Sequence, residues 1–133
     1  MEVLVIEDNE GDRVLIMEAI ADVLSDFSFR FKIDGEKALE YFNEITNEDE
    51  TILPDLVILD INLPKKNGLE ILQEIRQNKR LSELPVIIFS TSSNSEDIAH
   101  TKALGILDYV VKPIDFFEYQ DAVKKMLQLI TAS

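Results

Sequence analysis

The sequence predicts a doubly wound α/β sandwich, with five parallel strands in one sheet and five helices covering both of its faces. Three observations carry this. Five short apolar runs alternate with five longer segments of helical periodicity along 133 residues, and no repeat or low-complexity tract interrupts them. Three of the runs are continuous aliphatic stretches, the pattern of strands buried on both sides in a parallel sheet. Right-handed crossovers between such strands place helices on both faces, which gives three layers.

Residues 3–6 form the first strand, and residues 11–24 the first helix, with Val14, Met17, Ala21 and Leu24 spaced to make its inward face. Phe27, Phe29, Phe31 and Ile33 alternate with Ser28, Arg30 and Lys32. That period of two predicts a second strand wet on one side, at or near a sheet edge. Asp34-Gly35 turns the chain into a helix over residues 36–45, followed by an acidic loop over 47–50. The aliphatic runs 56–59, 86–89 and 107–111 are the remaining strands, each expected to be covered on both faces. Between them lie helices over 68–78 and 95–103, and the last helix runs over 115–130, with Phe116, Tyr119, Val123, Leu127 and Ile130 directed at the core.

Composition narrows the function. The length suits one domain, and 46% hydrophobic with 29% charged residues describes a folded chain with a solvated surface. No apolar stretch approaches the roughly 20 residues that cross a bilayer, and the opening MEVLVIED has no basic leader region. The expected location is the cytoplasm. With no cysteine and only His100 among the histidines, any metal must be held by oxygen. A net charge of −13 without a basic cluster argues against direct nucleic-acid binding, and most of that charge reads as solubility.

In a doubly wound sheet, ligands bind beyond the carboxyl ends of the strands. The first strand ends in Glu7-Asp8, the third in Asp60, the fourth in Ser90-Thr91-Ser92 and the fifth in Lys112-Pro113. An Asp after a buried strand is by itself commonly a helix cap or turn former, but four strand ends carrying complementary groups point to a site. Three carboxylates from two strands repel one another unless a cation sits among them, and a hard oxygen set beside a phosphate suits magnesium. Asp60 is the candidate nucleophile, because a carboxylate forms an acyl phosphate when metal neutralises the phosphoryl oxygens. Lys112 offers charge on the other side of that phosphoryl group, and Ser90 and Thr91 offer hydroxyls. Ser95, with Asp97 behind it, is the expected cap of the fourth helix.

The segments 3–8, LVILDINLPKKNGLEIL at 56–72, LPVIIFSTS at 84–92 and DYVVKPID at 108–115 together resemble a bacterial response-regulator receiver domain over essentially the whole chain. The resemblance implies a flavodoxin-like sheet of order 2-1-3-4-5 and a single receiver domain over 1–133 with no output domain. It makes Asp60 the phosphoacceptor and Glu7, Asp8, Asp60 and the backbone carbonyl of Asn62 the Mg2+ ligands. Ser90, with Thr91 as second choice, becomes the switch hydroxyl, Tyr109 the switch aromatic and Lys112 the phosphate contact. The Lys112-Pro113 bond is expected to be cis, and the Asn62 and Ser92 side chains to tune hydrolysis of the acyl phosphate. The pair Glu7-Asp8 stands where two aspartates are more usual, and Glu7 adds one methylene without removing the charge. LPKKNG, Glu7-Asp8-Asn9 and Lys-Pro-Ile-Asp are similar to stand-alone receivers found with phytochrome-type and other sensor kinases.

The implied partners are a sensor histidine kinase or histidine phosphotransfer protein as donor and a downstream protein as target, with the receiver a monomer or a phosphorylation-dependent homodimer. Output is expected from the fourth helix, fifth strand and fifth helix, where Glu96, His100, Lys102, Tyr109 and residues 118–121 lie. Two other readings compete: a pseudo-receiver that docks partners without phosphorylation, and an Asp-nucleophile phosphatase. The phosphatase wants a second acid two residues after its nucleophile, and Asn62 stands there.

Overall fold

The computed structural model describes residues 1–47 and 53–131. The elements run β1 Glu2–Ile6, α1 Glu10–Val23, β2 Ser28–Lys32, α2 Gly35–Thr46, β3 Leu56–Leu59, α3 Gly68–Gln77, β4 Val86–Ser90, α4 Ser95–Ala103, β5 Asp108–Val111 and α5 Phe116–Thr131. All five strands are parallel, in the order β2-β1-β3-β4-β5 that the receiver resemblance implies. Val5 of β1 sits between Phe31 of β2 and Ile58 of β3. The acidic loop expected over 47–50 lies, after Asn47, outside the described residues.

Alternation along the strands divides the interior into two cores. Leu4, Ile6, Val57, Leu59, Val86 and Ile88 point to one face and meet Ala38 and Phe42 of α2 and Ile71, Leu72 and Ile75 of α3. Val3, Val5, Leu56, Ile58, Ile87 and Phe89 point to the other and meet Ile16, Ala19 and Ile20 of α1 and Tyr119, Val123 and Leu127 of α5. β1, β3 and β4 are buried along their aliphatic length because both faces are covered.

Several expected faces are corrected. α1 buries Ile16, Ala19 and Ile20, whereas Val14 and Met17 are exposed. Apolar residues surround this helix, so two stripes satisfy the same spacing and only docking against α5 selects one. β5 is an edge strand paired only with β4, and Leu107 and Val111 are exposed, so its aliphatic run is not covered on both sides. Phe116 is also exposed, and α5 turns Tyr119, Val123, Met126 and Leu127 inward. The cap of α4 is Asn94, whose side chain accepts from the N–H groups of Glu96 and Asp97, and Ser95 is the first helical residue.

Asp34 shows how polar caps place the loops. Its Oδ1 accepts from the Lys37 N–H at 2.8 Å to start α2, and Lys65 Nζ lies 3.6 Å from Oδ2. The Lys37 N–H holds its carboxyl below the usual 3.8, with Lys65 adding to the effect. Asp34→Ala is expected to cost about 1 kcal/mol of unfolding free energy at pH 7. A depressed carboxyl gives stability above its unfolded pKa that is lost as pH falls through the folded one. Urea titrations should therefore show the two proteins converging under acid conditions below pH 3.8, the unperturbed value.

Candidate functional site

The site is built where β1 and β3 stop together. The Asp60 N–H donates to the Ile6 carbonyl at 3.1 Å, which draws the end of β3 level with Glu7. Asn9 caps α1 by accepting from the Asp12 N–H at 2.9 Å, and its own N–H donates to Glu7 Oε2 at 3.1 Å. The Arg13 guanidinium donates to the Glu7 carbonyl. The first turn of α1 thus wraps Glu7, which is only 2% exposed.

Beyond β3, the Asn62 N–H donates to Asp60 Oδ1 at 3.1 Å, and the loop folds back so that the Gly68 N–H reaches the Ile61 carbonyl. Gly68 is required here, because a Cβ would stand 2.2 Å from the Asp60 carbonyl oxygen. The same loop holds Lys65 at φ 68°, in the left-handed region that non-glycine residues seldom occupy.

Glu7, Asp8 and Asp60 each bring a carboxylate oxygen within 4.8 Å of the others. At that separation two unit charges repel by on the order of 3 kcal/mol at an effective dielectric near 20. Lys112 opposes this repulsion. Its Nζ donates to Glu7 Oε1, to Asp60 Oδ2 at 3.1 Å and to Asp12 Oδ2 at 3.3 Å. Burial pushes the Glu7 carboxyl up to about 7, with Asp60 adding to the rise and Lys112 opposing it. Burial also disfavours the Lys112 ammonium, but Glu7 and Asp60 outweigh that and leave its pKa above the usual value. At neutral pH the lysine is charged and the cluster still carries excess negative charge.

Asp8 is exposed at the mouth, where a cleft of about 530 Å³ is lined by Asp8, Asn62, Pro64, Asn67 and Asp97. Glu7, Asp8 and Asp60, of which Asp8 lines the cleft and the other two lie buried beside it, are a hard oxygen donor set suited to a divalent cation.

At the end of β4, Ser90 is fully buried and its Oγ accepts from the Ser92 N–H at 3.2 Å, while Thr91 is exposed. Ser92 Oγ donates to Asp97 at 2.9 Å, so this side chain holds the first turn of α4. The Tyr109 hydroxyl donates to the Ser92 carbonyl at 2.8 Å and spans from β5 to the loop before α4. The Lys112-Pro113 bond is not cis, contrary to expectation, and no cis peptide occurs among the described residues. A trans bond before proline is favoured by about 0.5–1 kcal/mol, and from it the lysine already reaches all three acids.

Two residues at the site were missed as site residues. Asp12 falls within the expected first helix and Tyr119 within the core stripe of the last, yet the Tyr119 hydroxyl donates to Asp12 Oδ1 at 2.6 Å. Asp12 lies in the first turn of α1, four residues after Asp8, which precedes the Asn9 cap and is not on the helix, so no helical spacing links the two.

Five parallel strands in this order, with acids and a lysine meeting at their carboxyl ends, define a receiver-type signalling domain. The chain belongs to the response regulator receiver domain family, whose model matches residues 3–124, and so to the two-component systems. It is similar to response regulator Rcp1 of Synechocystis sp., at 33% identity over 110 residues that cover 83% of this chain and 75% of Rcp1. The phosphorylated cyanobacterial phytochrome response regulator RcpA superposes with a TM-score of 0.88 at 34% identity, covering 98% of this chain and 94% of RcpA. The Mn(2+)-bound form of Rcp1 gives 0.87 at 29% identity, covering 96% and 91%. Among the described residues, no helix is long and apolar enough to cross a membrane.

Proposed function

We propose that this receiver takes a phosphoryl group onto Asp60 from the phosphohistidine of a sensor kinase or phosphotransfer protein, in a magnesium-dependent reaction in the cytoplasm. The observation that carries the reading is Asp60 itself, 6% exposed, held by Lys112 at 3.1 Å and lying among the oxygens of Glu7 and Asp8. Similarity to phosphorylated RcpA and Mn(2+)-bound Rcp1 supports it.

An Asp60 carboxylate oxygen attacks phosphorus. The O–P bond forms as the P–N bond to the donor histidine breaks, and that electron pair stays on the imidazole nitrogen. Glu7, Asp8, Asp60 and the Asn62 carbonyl would hold magnesium, which supplies positive charge against the phosphoryl oxygens. Lys112 supplies the matching charge from the protein. Ser90 turns its hydroxyl to the phosphoryl group, Tyr109 follows, and Asn62 and Ser92 set the approach of the water that ends the signal.

Output is a population shift, since the phosphoryl group binds the active arrangement of Ser90 and Tyr109 better than the inactive one. The α4–β5–α5 face then meets a protein partner. A groove of about 580 Å³ between β5 and α5, with Val110, Ala122 and Met126 beside Glu118 and Asp121, supports that face.

Acetyl phosphate with magnesium should add one phosphoryl mass to the intact protein, and Asp60→Asn should abolish the adduct. An adduct that survives Asp60→Asn, or no adduct on the native protein, would overturn the reading. The second result, with magnesium binding also absent, would favour the pseudo-receiver.

A further inference from the structure

Lys112 has three N–H bonds, and three carboxylates take them: Glu7 at the end of β1, Asp60 at the end of β3 and Asp12 on α1. Glu7 and Asp60 belong to the phosphoryl site proposed above, on which this inference rests. Asp12 does not. When Asp60 becomes an acyl phosphate, its phosphorus-bound oxygen is no longer a carboxylate oxygen, and a cation at the site competes with the lysine for Glu7. Asp12 is then the carboxylate left to fix the ammonium against the incoming phosphoryl oxygens.

Asp12 is itself held. The Tyr119 hydroxyl donates to its Oδ1 at 2.6 Å while Oδ2 faces Lys112, so the carboxylate bridges the two side chains with one oxygen each. Tyr119 is 5% exposed, and its ring packs edge-on against Phe89 of β4 with centroids 5.0 Å apart. The Lys112 ammonium lies 5.9 Å from the centre of that same Phe89 ring. Burial and the neighbouring Asp12 both keep the phenol protonated, so it remains a donor. A rigid aromatic on α5 therefore sets a carboxylate on α1, and that carboxylate sets the lysine on the β5–α5 loop.

We propose that Asp12, oriented by the Tyr119 hydroxyl, is a positioning residue for Lys112 in phosphoryl transfer to Asp60. Effective transfer requires the charged group to be held before the transition state, and losing such restraint costs rate more than binding.

Tyr119→Phe keeps the ring and removes the hydroxyl, and Asp12→Asn keeps the size and removes the charge. Each should lower the maximal rate of acetyl phosphate adduct formation about tenfold, with the magnesium concentration for half-maximal rate within about twofold of native. The double variant should be no slower than Asp12→Asn, because the hydroxyl acts only through that carboxylate. In metal-free protein, the ¹⁵N signal of the Lys112 ammonium should move in both single variants. Rates within about twofold of native, equal losses of rate and magnesium affinity, or an unmoved Lys112 signal would each overturn the proposal. A native protein that forms no adduct sinks the phosphoacceptor reading instead, and the Lys112 signal then still decides whether Asp12 and Tyr119 hold the lysine.

Discussion

Lys112→Ala is expected to destabilise the metal-free protein by about 3–5 kcal/mol at pH 8 and to reduce phosphorylation of Asp60 to a trace. Glu7 and Asp60 are 2% and 6% exposed, and the ammonium is the cation that both contact. Without it, two buried carboxylates face each other, and removing one partner of a buried charge pair costs far more than the pair contributes net. The loss should shrink as pH falls and Glu7 takes up a proton, and magnesium should restore part of it by replacing the missing charge. Urea denaturation of both proteins at pH 5 and pH 8, with and without magnesium, measures all of this. A penalty below about 1 kcal/mol at pH 8 would mean that the acids are solvated by water rather than held by the lysine.

Glu7→Gln is expected to make the metal-free protein more stable at pH 8 while nearly abolishing its response to magnesium. Burial raises the Glu7 carboxyl from 4.5 to about 7 in the folded protein. A carboxyl raised on folding contributes stability that is fully present below 4.5 and lost as pH rises through about 7. The loss is on the order of 3 kcal/mol across that window, and glutamine does not undergo it. Magnesium binding requires the ionised form, so the native protein's apparent affinity should climb with pH up to about 7 and then level off. Thermal melts of native and Glu7→Gln proteins from pH 5 to 8, with a magnesium titration at each pH, test both halves. Parallel stability curves for the two proteins would show that Glu7 does not titrate in this range.

The strand-end acids and lysine were legible in the sequence because the parallel sheet puts every strand's carboxyl end on one side. Glu7, Asp60, Ser90 and Lys112 each follow an aliphatic run, so their positions came directly from the boundaries of the runs. Asp12 and Tyr119 were not legible as a pair. They are 107 residues apart on two helices, and nothing in either helix's own periodicity indicates that they meet.

Helix faces divided in the same way. α2 and α3 carry their apolar residues on one side, so their buried stripes follow from spacing alone. α1 does not, and its inward face was settled by packing, which puts Ile16 and Ile20 in the core shared by the sheet and α5. Edge position likewise distinguished β5 from β3 and β4, although their aliphatic runs look alike. A strand's own residues do not record whether a neighbour lies on its far side.

By itself, the sequence determined the element order, the doubly wound class and the end of the sheet where the chemistry lies. Those depend on local periodicity and on the handedness of crossovers, which short stretches of chain already encode. Tertiary structure alone decided which carboxylates share the Lys112 ammonium and the elevation of Glu7 to about 7. Each of these arises from burial and from contacts between residues far apart in the chain, and both exist only once the sheet and its helices have closed around the site.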